Sequence, residues 1–243
     1  MSSDERERDA ADESDEHDSS AHAAASESDS PDETSDESSD DGWPPGLVAV
    51  GGSLDADTLT RAYRAGVFPW SSDPEITWWS PDPRAIFDLG SFAPSRSLRK
   101  SVRRAGWRFS IDEDFEGVMR ACAESTELRP STWISEEFIA GYTELHRRGH
   151  AHSVEVRDGD ELVGGLYGVT FGAFFGGESM FHRRTDASKA AVAFLVDHMK
   201  ARGFELLDAQ VPNPHLMSLG ATAIPRRAYL ARLERAIAKP ATF

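Results

Sequence analysis

The sequence contains one cysteine, Cys122, and no apolar run long enough to cross a bilayer. A lone cysteine excludes an intrachain disulfide and any metal site built from several thiolates. No basic, apolar leader opens the chain. Neither a Walker-type loop nor a GxGxxG turn is present, so the nucleotide cradles built on those glycines are missing. The first 42 residues have no aromatic side chain. They hold 17 of the 42 acidic residues and 2 of the 26 basic ones, a net charge of −15. Such a stretch cannot bury enough apolar surface to offset its ordering entropy. A disordered, solubilising acidic tail is expected over 1–42, with an acidic decoy for a basic site as the rival reading. Residues 43–243 sum to −1, so the low pI says nothing about the ligand of the folded part. These features predict a soluble cytoplasmic protein without a metal or cofactor.

From residue 43 onward the chain alternates irregular and periodic stretches. Residues 43–52 read as irregular. Asp55 can cap a short helix that shows Leu59, Ala62 and Tyr63 on one face and stops at Gly66. Three tryptophans and four prolines fall between Phe68 and Arg84. That density fits neither a regular helix nor a regular strand. It leaves two readings open: a small core pinned between loops, or a flat platform on which a base stacks.

Residues 95–104 (SRSLRKSVRR) read as a helix with Leu98 and Val102 one turn apart. Arg96, Arg99, Lys100, Arg103 and Arg104 cover most of the remainder. No carboxylate interrupts the sequence from Arg96 to Arg108. A solvated helix usually mixes signs, so a single-sign face points to phosphate contact. Trp107, Phe109 and Ile111 alternate as a strand, and a helix over 113–123 places Cys122 beside Phe115, Val118 and Met119 as a core thiol. Ser135 caps a further helix whose buried face is Phe138, Tyr142 and Leu145.

The rest of the chain has the pattern of an α/β fold. Three strands come first: one through His152, Val154 and Val156, then Leu162–Val169 and Ala173–Phe181. A helix from about Ala187 to Ala201 follows, then a strand over 204–210. Pro225 begins a last helix. His150 and His152 share a strand face but no third ligand is spaced to join them, so they read as structural. Glu178, Asp208 and Gln210 are polar groups set among apolar neighbours, where burial costs several kcal/mol unless a function or partner offsets it.

The strand–helix–strand order over 150–210 is that of an acetyltransferase-like (GNAT-type) domain. Such domains hold a coenzyme A pyrophosphate on a glycine-rich turn at a helix start. Here Arg183-Arg184-Thr185-Asp186 stands in that place, with basic residues but no glycine. An acyl-CoA-dependent N-acyltransferase is therefore the weaker alternative, and a non-catalytic RNA-binding protein is a second.

Several motifs carry a more specific resemblance. In order, they are Val67-Phe68-Pro69-Trp70, Trp78-Trp79-Ser80-Pro81-Asp82-Pro83-Arg84, Thr132-Trp133-Ile134, Gly177-Glu178-Ser179-Met180-Phe181, Ala187-Ser188-Lys189, Asp208-Ala209-Gln210 and Ser218-Leu219-Gly220-Ala221. Over about residues 43–230 the chain resembles the leucyl/phenylalanyl-tRNA–protein transferases. The resemblance implies a small Trp/Pro-rich N-terminal domain at 43–84 and an acetyltransferase-like catalytic domain at 85–243. It implies a reaction in which Leu or Phe passes from an aminoacyl-tRNA to the α-amino group of a protein beginning with Arg or Lys. That product enters N-end-rule degradation.

The implied roles are these. Asp208 polarises the side-chain amide of Gln210, whose carbonyl takes a proton from the amine; at i, i+2 on a strand both would face one way. Glu178 receives the Arg or Lys. Leu166, Phe175, Met180, Val192, Leu195 and Leu207 wall the aminoacyl pocket, and Trp70 and Trp133 flank the terminal adenosine. Leu195 departs from the family pattern, which has Phe there, and Phe194 stands beside it. The basic helix would track acceptor-stem phosphates. The enzyme is expected to work as a monomer.

Overall fold

The computed structural model describes residues 43–71, 74–125 and 132–243. The acidic tail, and with it the expectation of disorder, lies outside the described residues. Residues 43–243 pack as one unit. The segment before Arg84 builds a small antiparallel sheet of β1 (Leu47–Val50), β3 (Thr77–Trp79) and β2 (Phe68–Ser71), in that order. Helix α1 (Ala56–Arg64) lies between β1 and β2 and is capped by Asp55, which accepts the N–H groups of Asp57 and Thr58. These strands correct the expectation of irregular chain at 43–52 and across the Trp/Pro stretch. They are three or four residues long, too short to show alternation. Pro69 is tolerated because β2 is an edge strand, whose outer side needs no donor.

The main sheet has seven strands in the order β10-β4-β9-β8-β7-β6-β5. Its members are β4 (Arg84–Phe87), β5 (Arg108–Ile111), β6 (Ala151–Asp158), β7 (Glu161–Phe171), β8 (Phe174–His182), β9 (Leu206–Gln210) and β10 (Ala221–Ile224). All neighbours are antiparallel except β8 and β9, which are joined by the crossover helix α5 (Ala187–Arg202). Strands β4 and β10 and the short helix α6 (Pro214–Ser218) were not expected from the sequence.

One face of the sheet packs on α5, with Val154, Val156 and Leu166 against Ala191, Leu195 and Val196. The other packs on α1, α3 (Phe115–Ala123), α4 (Glu136–Arg147) and α7 (Arg226–Ala238), through Leu59, Met119, Phe138 and Leu233. Cys122 is in this second core. A Cβ on Gly164 would fall 2.5 Å from the Ala187 Cβ, so glycine is what lets β7 approach the start of α5.

The site follows from the one parallel pair. Pairing of β8 with β9 runs from Phe174↔Leu206 to Gly176↔Asp208 and stops there. Beyond it β8 continues through Glu178, Met180 and His182, while β9 ends at Gln210 beside Ala85 of β4. The two strands part, and the gap is open to side chains from both.

Candidate active site

The gap forms the wall of a cavity of about 560 Å³. Its polar side is Glu178, Asp208 and Gln210; its apolar side is Leu166, Met180, Val192, Leu195 and Leu207. Trp70 and Trp133 also line it. Ten of the expected site residues therefore meet in one space. Phe175 does not. It pairs with Leu207 in the closed part of the sheet and is fully buried behind the cavity, its ring 5.3 Å from that of Phe243. Phe194 does not replace the missing Phe at 195 either, because it stacks on Phe109 at 5.1 Å, outside the cavity.

Asp208 is 1% exposed and its carboxylate is saturated with donors. Arg84 gives it two bonds, Nε to Oδ1 at 2.8 Å and Nη2 to Oδ2 at 2.6 Å. The Tyr229 hydroxyl donates to Oδ2 at 2.9 Å, and the backbone N–H of Gln210 donates to Oδ1 at 2.9 Å. Arg84, itself 1% exposed, also reaches the Gly66 carbonyl at 3.1 Å and lies over the rings of Phe68 and Tyr229. Burial works against its charge, but the Asp208 carboxylate prevails and raises its pKa.

The expected contact between Asp208 and the Gln210 side chain is therefore corrected. Gln210 has φ +61°, a left-handed conformation rare for a residue with a Cβ. That turn breaks the strand alternation. Asp208 holds the Gln210 backbone, and the Gln210 amide Nε2 donates instead to Glu178 Oε1 at 2.7 Å. The amide carbonyl is left as the acceptor end.

Glu178 Oε2 accepts a bond from the Tyr142 hydroxyl at 3.1 Å, and Tyr63 bonds to Tyr142 in turn. Part of the Glu178 side chain is open to the cavity, and its two carboxyl oxygens are met by Tyr142 and Gln210. Burial pushes that carboxyl up to about 8, against the Tyr63 and Tyr142 hydroxyls that favour its charged form. The Asp208 charge adds to the rise and Arg84 opposes it.

Arg84, Tyr229, Tyr63 and Tyr142 are thus site residues that sequence reasoning did not assign. Arg84 was visible as the end of the Trp78–Arg84 motif. Tyr63 and Tyr142 were placed on buried helix faces, where a tyrosine in place of a phenylalanine signals a hydroxyl in need of a partner.

Helix α2 (Arg96–Ala105) is capped by Ser95 and anchored by buried Leu98. Arg96, Arg99, Lys100, Arg103 and Arg104 are all exposed. None lines the cavity, and no ion pair joins them to a carboxylate among the described residues. At the start of α5, by contrast, the basic groups make exposed ion pairs: Arg183 with Glu124 at 2.5 Å and Arg184 with Glu161 at 3.0 Å. His152 bonds to Asp112 at 2.7 Å, and no cluster suited to a metal occurs among the described residues.

Comparison with known proteins accords with this geometry. The family model described as leucyl/phenylalanyl-tRNA protein transferase matches residues 86–234, and that of its N-terminal domain matches 52–82. The chain belongs to the leucyl/phenylalanyl-tRNA–protein transferase family. It is an aminoacyltransferase by that membership. A family member from Shewanella sp. (strain W3-18-1) is 53% identical over 188 residues, 77% of this chain and 80% of that one. One from Shewanella frigidimarina (strain NCIMB 400) is 52% identical over 194 residues, 79% and 82% of the two chains. Among solved structures, L-PGS from Bacillus licheniformis superposes with a TM-score of 0.39 at 13% identity, covering 75% of this chain and 70% of that one. That likeness is too loose to carry an argument.

Proposed function

We propose that this aminoacyltransferase moves Leu or Phe from a charged tRNA to the α-amino group of proteins that begin with Arg or Lys, marking them for N-end-rule degradation. The observation that carries the reading is the meeting of three chemistries at the split between β8 and β9: a carboxyl group, a carboxamide and an apolar pocket. The ester carbonyl carbon takes the amine nitrogen; the C–O bond to the tRNA 3′ oxygen breaks. The amine proton passes by way of the Gln210 carbonyl to the departing oxygen. The ester is already activated and an α-amine has a pKa near 8, so the step needs no ATP, metal or covalent intermediate. Asp208 acts by holding the Gln210 backbone, Glu178 by receiving the cation of the N-terminal Arg or Lys.

Leu166, Met180, Val192, Leu195 and Leu207 take the aminoacyl side chain, with Trp70 and Trp133 beside the terminal adenosine. The exposed cations of α2 suit acceptor-stem phosphates. The strand order, an antiparallel run that turns parallel after α5, supports an acetyltransferase-like ancestry for residues 85–243. Residues 43–84 form the smaller N-terminal domain in this reading, in keeping with family matches that stop at 82 and resume at 86. We read the enzyme as a cytoplasmic monomer. Among the described residues, no helix is long and apolar enough to cross a membrane.

The test is transfer of labelled Leu or Phe from charged tRNA onto peptides that begin with Arg, Lys or Ala. Transfer to the Arg and Lys peptides alone is expected, and Gln210→Ala should bind charged tRNA without transferring. Equal transfer to the Ala peptide would overturn the acceptor assignment. No transfer from either tRNA would overturn the function.

A further inference from the structure

Glu178 has hydrogen-bond donors but no counter-cation. The groups that face it come from four elements: Tyr63 on α1, Arg84 on β4, Tyr142 on α4, and Asp208 with Gln210 on β9. The one cation among them, Arg84, is bound through two bonds to Asp208. No ion pair reaches Glu178 among the described residues. A partly buried carboxylate whose bonded partners are a neutral hydroxyl and a neutral amide lacks the charge that would balance it, and the usual relief is to take up a proton.

We propose that Glu178 waits in its protonated form and gives up that proton to bulk water when the cationic side chain of an acceptor enters, with Tyr142 as the positioning residue that aims the carboxyl group. The idea rests on the acceptor assignment above and adds to it a coupling between recognition and proton release. A carboxyl pushed up to about 8 agrees with this resting state. No bond is made or broken beyond the loss of the carboxyl proton; the guanidinium or ammonium enters and stays charged.

The readout is the ratio of kcat/KM for an Arg peptide to that for a norleucine peptide of the same sequence. Ionisation of the α-amine and binding of tRNA are common to both peptides and cancel. The ratio should rise with pH by about tenfold per unit at low pH and level off above about 8, as one released proton requires. Tyr142→Phe removes a donor that favours the charged form. Its curve should move to higher pH and reach the same plateau, whereas a merely structural defect would lower both rates and leave the ratio in place. Glu178→Gln should show a ratio near one at every pH.

A ratio that is flat with pH in the native protein, or a Tyr142→Phe curve that coincides with the native one, would overturn the proposal. Calorimetry covers variants too damaged to turn over. Binding of arginine amide to the native protein at pH 7, in buffers of different ionisation enthalpy, should release close to one proton more than binding of norleucine amide, and an equal release for the two sinks the idea. Loss of transfer to all peptides from both tRNAs would instead count against the function itself.

Discussion

Arg84 does more for this site than any residue singled out in the sequence. It neutralises Asp208, reaches back to Gly66 at the end of α1, and stacks on Phe68 and Tyr229. Breaking a buried pair by removing one partner strands the other charge, at a cost of about 3–5 kcal/mol. Arg84→Met should lower the urea midpoint by a corresponding amount. Adding Asp208→Asn to it should recover part of the loss, because no charge is then left buried. A single variant as stable as the native protein would show that Asp208 does not depend on Arg84. Glu178, Asp208 and Gln210 stood out in the sequence as polar residues among apolar ones. Their hydrogen-bond directions did not, because they turn on the left-handed φ of Gln210. Strand periodicity places side chains only where the backbone stays extended.

Helix α2 is held to the body by Leu98 and turns its cations outward. If those cations meet phosphates, removing one of them should reduce the slope of log affinity against log salt by about 0.7–0.9. Arg99→Gln combined with Arg103→Gln should therefore flatten the salt dependence of charged-tRNA binding by about two such steps. The far-ultraviolet circular dichroism should be unchanged, since neither side chain is part of the core. An unchanged slope would return α2 to the role of a solvated face. The helices with a polar cap and a periodic face (α1, α2, α4) were legible from sequence. Strands β1, β2, β3, β4 and β10 were not. A strand of three or four residues has too few positions to alternate, and its pairing is decided by partners distant in the chain.

At the scale of the molecule, the acidic charge is concentrated at one end of the sequence. Residues 1–42 carry a net −15, whereas residues 43–243 are nearly neutral and pack as one unit. Removing residues 1–42 should leave the melting temperature of the remainder and its kcat for transfer unchanged at physiological salt, where charges beyond about 8 Å are screened. A large fall in kcat would assign the tail a part in catalysis.

Composition and local pattern by themselves determined the charge of the tail, the capped helices and the α/β class, and the family resemblance of the motifs pointed to most residues in the cavity. These depend on neighbours within a few positions, or on motifs that stay together in the chain. Only the tertiary structure decided that Asp208 is spent on Arg84 and Tyr229, that Gln210 turns to Glu178, and that Phe175 stays behind the cavity wall. The hydrogen bonds of Asp208 to Tyr229 and to Arg84 join residues 21 and 124 positions apart. They exist because β4 pairs with β9 and α7 packs beside that strand, and both contacts are properties of the assembled fold.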